Sequence, residues 1–91
     1  NMPTAVLKDE NFQEGSIDIL GIMAASGLAA SRSEARRAVE QGGVSVNGDK
    51  VTDVRKTYTK DEIGSAEFVI KKGKKSFKKI VVEFRVKIAA G

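Results

Sequence analysis

Three arginines and two serines crowd the segment Ser31-Arg32-Ser33-Glu34-Ala35-Arg36-Arg37, a composition suited to holding phosphate. A guanidinium fork can donate two parallel hydrogen bonds to phosphate oxygens. Ser31 and Glu34 have the spacing of a helix capping box, in which the hydroxyl takes the backbone N–H three residues on and the carboxylate reaches back. A helix begun there would offer unpaired N–H groups and the positive end of its dipole, both favourable to an anion. At 100° per residue, Arg32, Arg36, Ser33 and Arg37 fall within about 140° of arc, while Ala35, Ala38 and Val39 lie across the axis. The plainer alternative is that Arg36 and Arg37 solvate the helix and pair with Glu40 and Glu34.

A second basic cluster holds Lys71, Lys72, Lys74, Lys75, Lys78 and Lys79 around Gly73. Like charges this dense repel one another and sit best in water or beside a polyanion. Lysine also guards an exposed hairpin against edge-to-edge pairing, and the two roles are compatible. As a point charge, Lys would raise affinity and association rate without reading a base sequence. The charge is uneven along the chain. Lys8 stands against Asp9, Glu10, Glu14 and Asp18 in residues 1–30, and the remaining 15 Lys and Arg stand against 8 acids, so −3 precedes +7 in a total of +4.

The 91 residues include no Cys and no His, which excludes disulfides, thiol catalysis and the commonest general base and metal ligand. No P-loop or other nucleotide-binding signature is present, so no activity and no cofactor are expected of this chain alone. No apolar run approaches the ~18 residues that span a bilayer, and no signal-peptide layout opens the chain, so a cytoplasmic protein is expected. Tyr58 is the one exposed-looking aromatic, with Phe68, Phe77 and Phe84 assigned to the core. That supply argues for recognition of folded RNA by shape and backbone over stacking of single-stranded bases.

These clusters need elements to position them. Residues 1–15 read as a polar linker, although Val6, Leu7 and Phe12 could pack, and residues 16–91 as the domain. Ser16 caps a first helix, with Ile17, Leu20, Met23 and Ala24 at helical spacing and Gly27 ending it. The second helix runs from the Ser31 cap to Gly42-Gly43, and the short connection predicts an angled helical hairpin. Val44 to Val51 reads as a strand, an Asn47-Gly48 type I′ turn and a return strand. Residues 52–66 read as polar loop. Phe68 opens a strand, the turn around Gly73 follows, and a last strand alternates Ile80, Val82, Phe84, Val86 and Ile88 with Lys79, Val81, Glu83, Arg85 and Lys87. The expected class is α+β, a two-helix angled hairpin packed on a small, mainly antiparallel sheet.

The run Ser31 to Arg37, followed by Gln41-Gly42-Gly43-Val44-Ser45-Val46-Asn47-Gly48-Asp49-Lys50-Val51, resembles the ribosomal-protein-S-four-type RNA-binding domain. Within that superfamily, SRSEARRAVEQGGVSVNGDKVTD and the later FVIKKGKKSFKKIVV are similar to the C-terminal domains of bacterial-type tyrosyl-tRNA synthetases. The resemblance implies a domain that grips tyrosine tRNA while a catalytic domain elsewhere binds ATP and tyrosine and forms the homodimer. It implies RNA contacts at Arg32, Ser33, Arg36, Arg37 and Gln41, at Asn47, Gly48 and Lys50 of the hairpin, and at Lys71, Lys72, Lys74, Lys75 and Lys78. The acidic start Ser16-Ile17-Asp18 departs from the basic start of many members. Other hosts of the same domain, a pseudouridine synthase or a freestanding ribosome-associated protein, are the alternative, and an adaptor for an acidic protein is a third reading.

Overall fold

The computed structural model describes residues 3–65 and 67–83. Among these, α1 (Ile19–Ser26) and α2 (Arg32–Glu40) form the helical hairpin, and α3 (Lys60–Gly64) adds a short third helix. The strands are β1 (Thr4–Leu7), β2 (Ser16–Asp18), β3 (Val44–Val46), β4 (Asp49–Lys50), β5 (Thr57–Thr59), β6 (Val69–Lys72) and β7 (Ser76–Val82). Five make a sheet in the order β1-β7-β6-β3-β4, and β2 pairs with β5 in a separate antiparallel ribbon. The fold is α+β, as its periodicities imply. No helix among the described residues is long and apolar enough to cross a membrane.

α1 is apolar nearly all round, which requires burial on several sides. Ile19, Ile22 and Met23 are fully enclosed, between the sheet and α2. α2 is amphipathic. Its small Ala35 and Val39 are buried, Ala38 is half-buried, and Arg32, Ser33, Arg36 and Arg37 face outward, as the helical angles predict. Inward residues of the sheet, Val44, Val46, Ile70, Ile80 and Val82, complete the core with Leu7.

Several sequence expectations change here. The segment 1–15, read as linker, enters the sheet over its described part. β1 runs parallel to β7 with Thr4 beside Lys79 and Leu7 beside Val82, and Leu7 is fully buried. The pairing is between distant parts of the chain, so local periodicity carries little trace of it. The first helix starts later than expected. Residues 16–18 are extended, and Asp18 is the cap, its Oδ1 accepting from the Gly21 N–H at 2.9 Å. Gly27 ends the helix in the left-handed conformation as expected, at φ 82°.

The polar stretch 52–66 holds β5 and α3. Thr59 and Glu62 form a full capping box there, with bonds of 3.1 and 3.0 Å. Tyr58 is buried on β5, its ring edge-on to Phe68 at 5.0 Å, and Phe77 is 39% exposed. The two aromatics have exchanged their expected places. β7 ends at Val82, and the strand expected over Phe84 to Ile88 lies outside the described residues.

Candidate nucleic-acid interface

Ser31 caps α2 as expected, its Oγ accepting from the Glu34 N–H at 3.2 Å. The return bond is displaced by one residue. Glu34 accepts from the Ala30 N–H at 2.9 Å, because its carboxylate also meets the Lys72 ammonium at 2.8 Å. Lys72 donates at the same time to the Leu28 carbonyl at 3.0 Å. Glu34 thereby fastens the start of α2 to β6, and the Lys72 hydrogen bond, ahead of that from Ala30, holds its carboxyl below the usual range.

Arg32 turns back to the first helix. Its guanidinium grips Asp18 with two bonds of 3.0 and 2.5 Å, so the fork expected for phosphate closes on a carboxylate of the same chain. The Arg32 bond lowers the Asp18 pKa, against the opposing effect of partial burial. Gly21 leaves room for this arrangement. A Cβ there would come within 2.7 Å of Asp18 Oδ1 and 3.3 Å of Arg32 Nη1. Arg36 meets Glu40 at 3.5 Å, one turn along the helix. Such an exposed pair contributes about 0.3–0.5 kcal/mol.

The hairpin turn has the backbone its sequence demands, with φ of 50° at Asn47 and 88° at Gly48. The Asn47 side chain is engaged at both its nitrogen and its oxygen, donating to the Glu67 carbonyl at 2.9 Å and accepting from the Val69 N–H at 2.8 Å. It splices the turn onto β6 and leaves Gly48 at the exposed tip. Lys78 faces inward and donates to the Ser26 carbonyl at the end of α1. Its register explains this, since Lys78 opposes the buried Ile70.

The remaining cations face water. Arg37, Lys50, Lys71, Lys74 and Lys75 are exposed and have no ion pair among the described residues. Ser33 and Gln41 are exposed as well. The Gly73 N–H donates to the Gly43 carbonyl at 2.7 Å, which ties the lysine-bearing turn to the exit of α2. Lys50 lies along that exit, its Nζ 3.2 Å from where a Gly42 Cβ would stand, at the negative end of the helix dipole. Lys50, Ser45, Lys71 and Phe77 occupy successive paired positions across β4, β3, β6 and β7, and so share the outer face of the sheet.

The structure thus divides the thirteen residues named from the sequence. Arg32, Lys72, Lys78 and Asn47 hold elements together, whereas Arg37, Lys50, Lys71, Lys74 and Lys75 present free charge. Asp18 and Gly21 set the Arg32 geometry, and the acidic start of the helix is the trace of it that the sequence carries. A concavity of about 700 Å³ lies beside the Arg32–Asp18 pair, lined by Glu14, Ser16, Asp18, Gly21 and Arg32 among others. Its carboxylates make it a poor anion site. No group of His, Cys, Asp and Glu among the described residues could hold a metal ion.

Comparison with known proteins gives a consistent result. The model of the tyrosine--tRNA ligase SYY-like C-terminal domain family matches residues 1–80. A tyrosine--tRNA ligase of Lachnoclostridium phytofermentans is 47% identical over 78 residues, covering 85% of this chain and 19% of the relative. One from Clostridium botulinum (strain Loch Maree / Type A3) is 40% identical over 83 residues, 91% of this chain and 20% of the relative. One from Treponema denticola is 40% identical over 81 residues, 88% and 20% respectively. The chain spans about a fifth of the length of the curated relatives it matches.

Proposed function

This chain belongs to the tyrosine--tRNA ligase SYY-like C-terminal domain family, and on that premise we propose that it is an RNA-binding module that grips tyrosine tRNA by shape and phosphate contacts during aminoacylation. The observation that carries the reading is the set of exposed, unpaired cations on one connected framework: Arg37 on α2, Lys50 beyond its exit, and Lys71, Lys74 and Lys75 around a turn hydrogen-bonded to that exit. Each cation that neutralises a phosphate releases condensed counterions, a gain that needs charge and spacing but no base contact. Activation of tyrosine with ATP, and any dimer contact, belong in this reading to the remaining four-fifths of a ligase. The module works where such ligases work, in the cytoplasm.

The test is a mobility-shift titration of this chain with tyrosine tRNA, duplex DNA and a tRNA without a long variable arm. Tyrosine tRNA should bind tightest. With about five phosphate contacts, the logarithm of its affinity should fall with that of salt at a slope near −4. Equal, weak binding to all three would reject the tRNA module in favour of a generic basic domain.

A further inference from the structure

Phe77 is the exposed aromatic of the described surface, and its setting suits a nucleotide. It stands opposite Lys71 on the outer face of the sheet. Lys79, two residues along the same strand, shares that face by alternation. Lys75 joins Phe77, Pro3 and Leu28 around a shallow depression of about 260 Å³ at the start of β7. No ion pair quenches Lys71, Lys75 or Lys79 among the described residues. Phe12 and Phe68, by contrast, are buried.

We propose that Phe77 is a stacking site for one unpaired nucleotide of a bound RNA, with Lys71, Lys75 and Lys79 receiving the phosphates that flank it. A lone exposed apolar side chain needs no explanation in general. This one is ringed by lysines, and lysine is depleted from the apolar centres of protein–protein interfaces, which disfavours a protein partner. An aromatic face beside a track of cations is the arrangement that holds single-stranded nucleic acid, because every base has a face to stack and every linkage a charge to meet. The site deepens the RNA-binding reading and rests on it. It adds recognition of an unpaired base to a surface otherwise reading backbone.

The experiment titrates this chain, and its Phe77→Leu and Phe77→Trp variants, with three probes: tyrosine tRNA, a fully paired RNA duplex, and a short single-stranded RNA carrying 2-aminopurine. Phe77→Leu should weaken binding of the single strand by about 5- to 150-fold and abolish its fluorescence quenching, with duplex affinity unchanged within about twofold. Phe77→Trp should retain both the binding and the quenching. A single-strand affinity unmoved by Phe77→Leu, or an equal loss on duplex and single strand, would overturn the stacking site while leaving the tRNA module standing. Binding of neither tRNA nor duplex by the unaltered chain would overturn both.

Discussion

Arg32 and Asp18 form a two-bond pair, at 3.0 and 2.5 Å, that links the first turn of α2 to the cap of α1. Asp18 Oδ1 also accepts from the Gly21 N–H, so one carboxylate serves as helix cap and as anchor for the second helix. The side chains are 58% and 26% exposed, which places the pair in partial contact with water and keeps its net contribution modest. Its value lies in fixing how the two helices meet.

Gly21→Ala tests that geometry. Alanine favours the helix interior by about 1 kcal/mol over glycine, but its methyl would press on Asp18 Oδ1. In the unaltered chain the substitution should destabilise by about 1 kcal/mol, as cap and pair are displaced. In an Asp18→Ala background the sign should reverse, and the alanine should stabilise. Urea unfolding of the four proteins in a double-mutant cycle measures the coupling, and simple additivity would show that the close approach is relieved without cost.

Acid should loosen the helical hairpin first. Asp18 and Glu34 both have carboxyl pKa values below their ordinary ones, held down chiefly by Arg32 and Lys72. A group with a depressed folded pKa contributes stability above its unfolded pKa, near 4, and loses it as pH falls through the folded value. The urea midpoint should therefore be level from pH 7 to about 5 and decline below about 4. Asp18→Asn should start lower at neutral pH and decline less. An unchanged slope in that variant would assign the acid sensitivity to other carboxylates.

Asn47→Ala should destabilise the domain by about 1–2 kcal/mol, since it loses the side-chain bonds to the Glu67 carbonyl and the Val69 N–H and replaces Asn, which tolerates positive φ, with Ala, which does so less readily. Asn47→Gly relieves the backbone while still losing the bonds. The difference between the two thermal midpoints isolates the conformational part. Asn47→Val, which adds a β-branch at the same φ of 50°, should be the worst of the three.

The arginines of α2 should part company in solution. Arg37→Ala should weaken tRNA binding and reduce the salt slope by about 0.7–0.9, one phosphate's worth, with unfolding unaffected. Arg32→Ala should lower stability by about 0.5–1 kcal/mol and leave the salt slope where it was. Equal effects of both on the slope would mean that Arg32 exchanges Asp18 for phosphate when RNA binds.

Much of this was legible in the residues because the devices are local. Ser31, Gly27 and the Asn47-Gly48 turn each act within a few positions, and the helical angles of α2 give its inward and outward faces directly. What failed was pairing across distance. Lys78 and Phe77 illustrate the boundary: Ile80 and Val82 alternate with Lys79, Val81 and Glu83 and are buried, and strand parity carried back along β7 puts Lys78 inside and Phe77 outside. The signal was present, but residue type suggested the reverse. Arg32 gave no such hint, because its partner Asp18 lies 14 residues away and either water or phosphate would satisfy an arginine equally well. The burial of Tyr58 leaves no trace in the sequence, because the short ribbon of β2 and β5 that holds it has too few residues for a period to emerge.

The parallel union of β1 and β7 also sets a schedule. Thr4 meets Lys79 and Leu7 meets Val82, so a strand made near the start of the chain finds its neighbour only after nearly all of this domain has been synthesised. At roughly 5–20 residues per second, that interval lasts on the order of several seconds. Throughout it, Val6 and the core residue Leu7 lack the strand that will receive them. The helical hairpin and the Asn47-Gly48 turn depend on contacts made earlier in the chain, leaving closure of the sheet edge as the late event of folding.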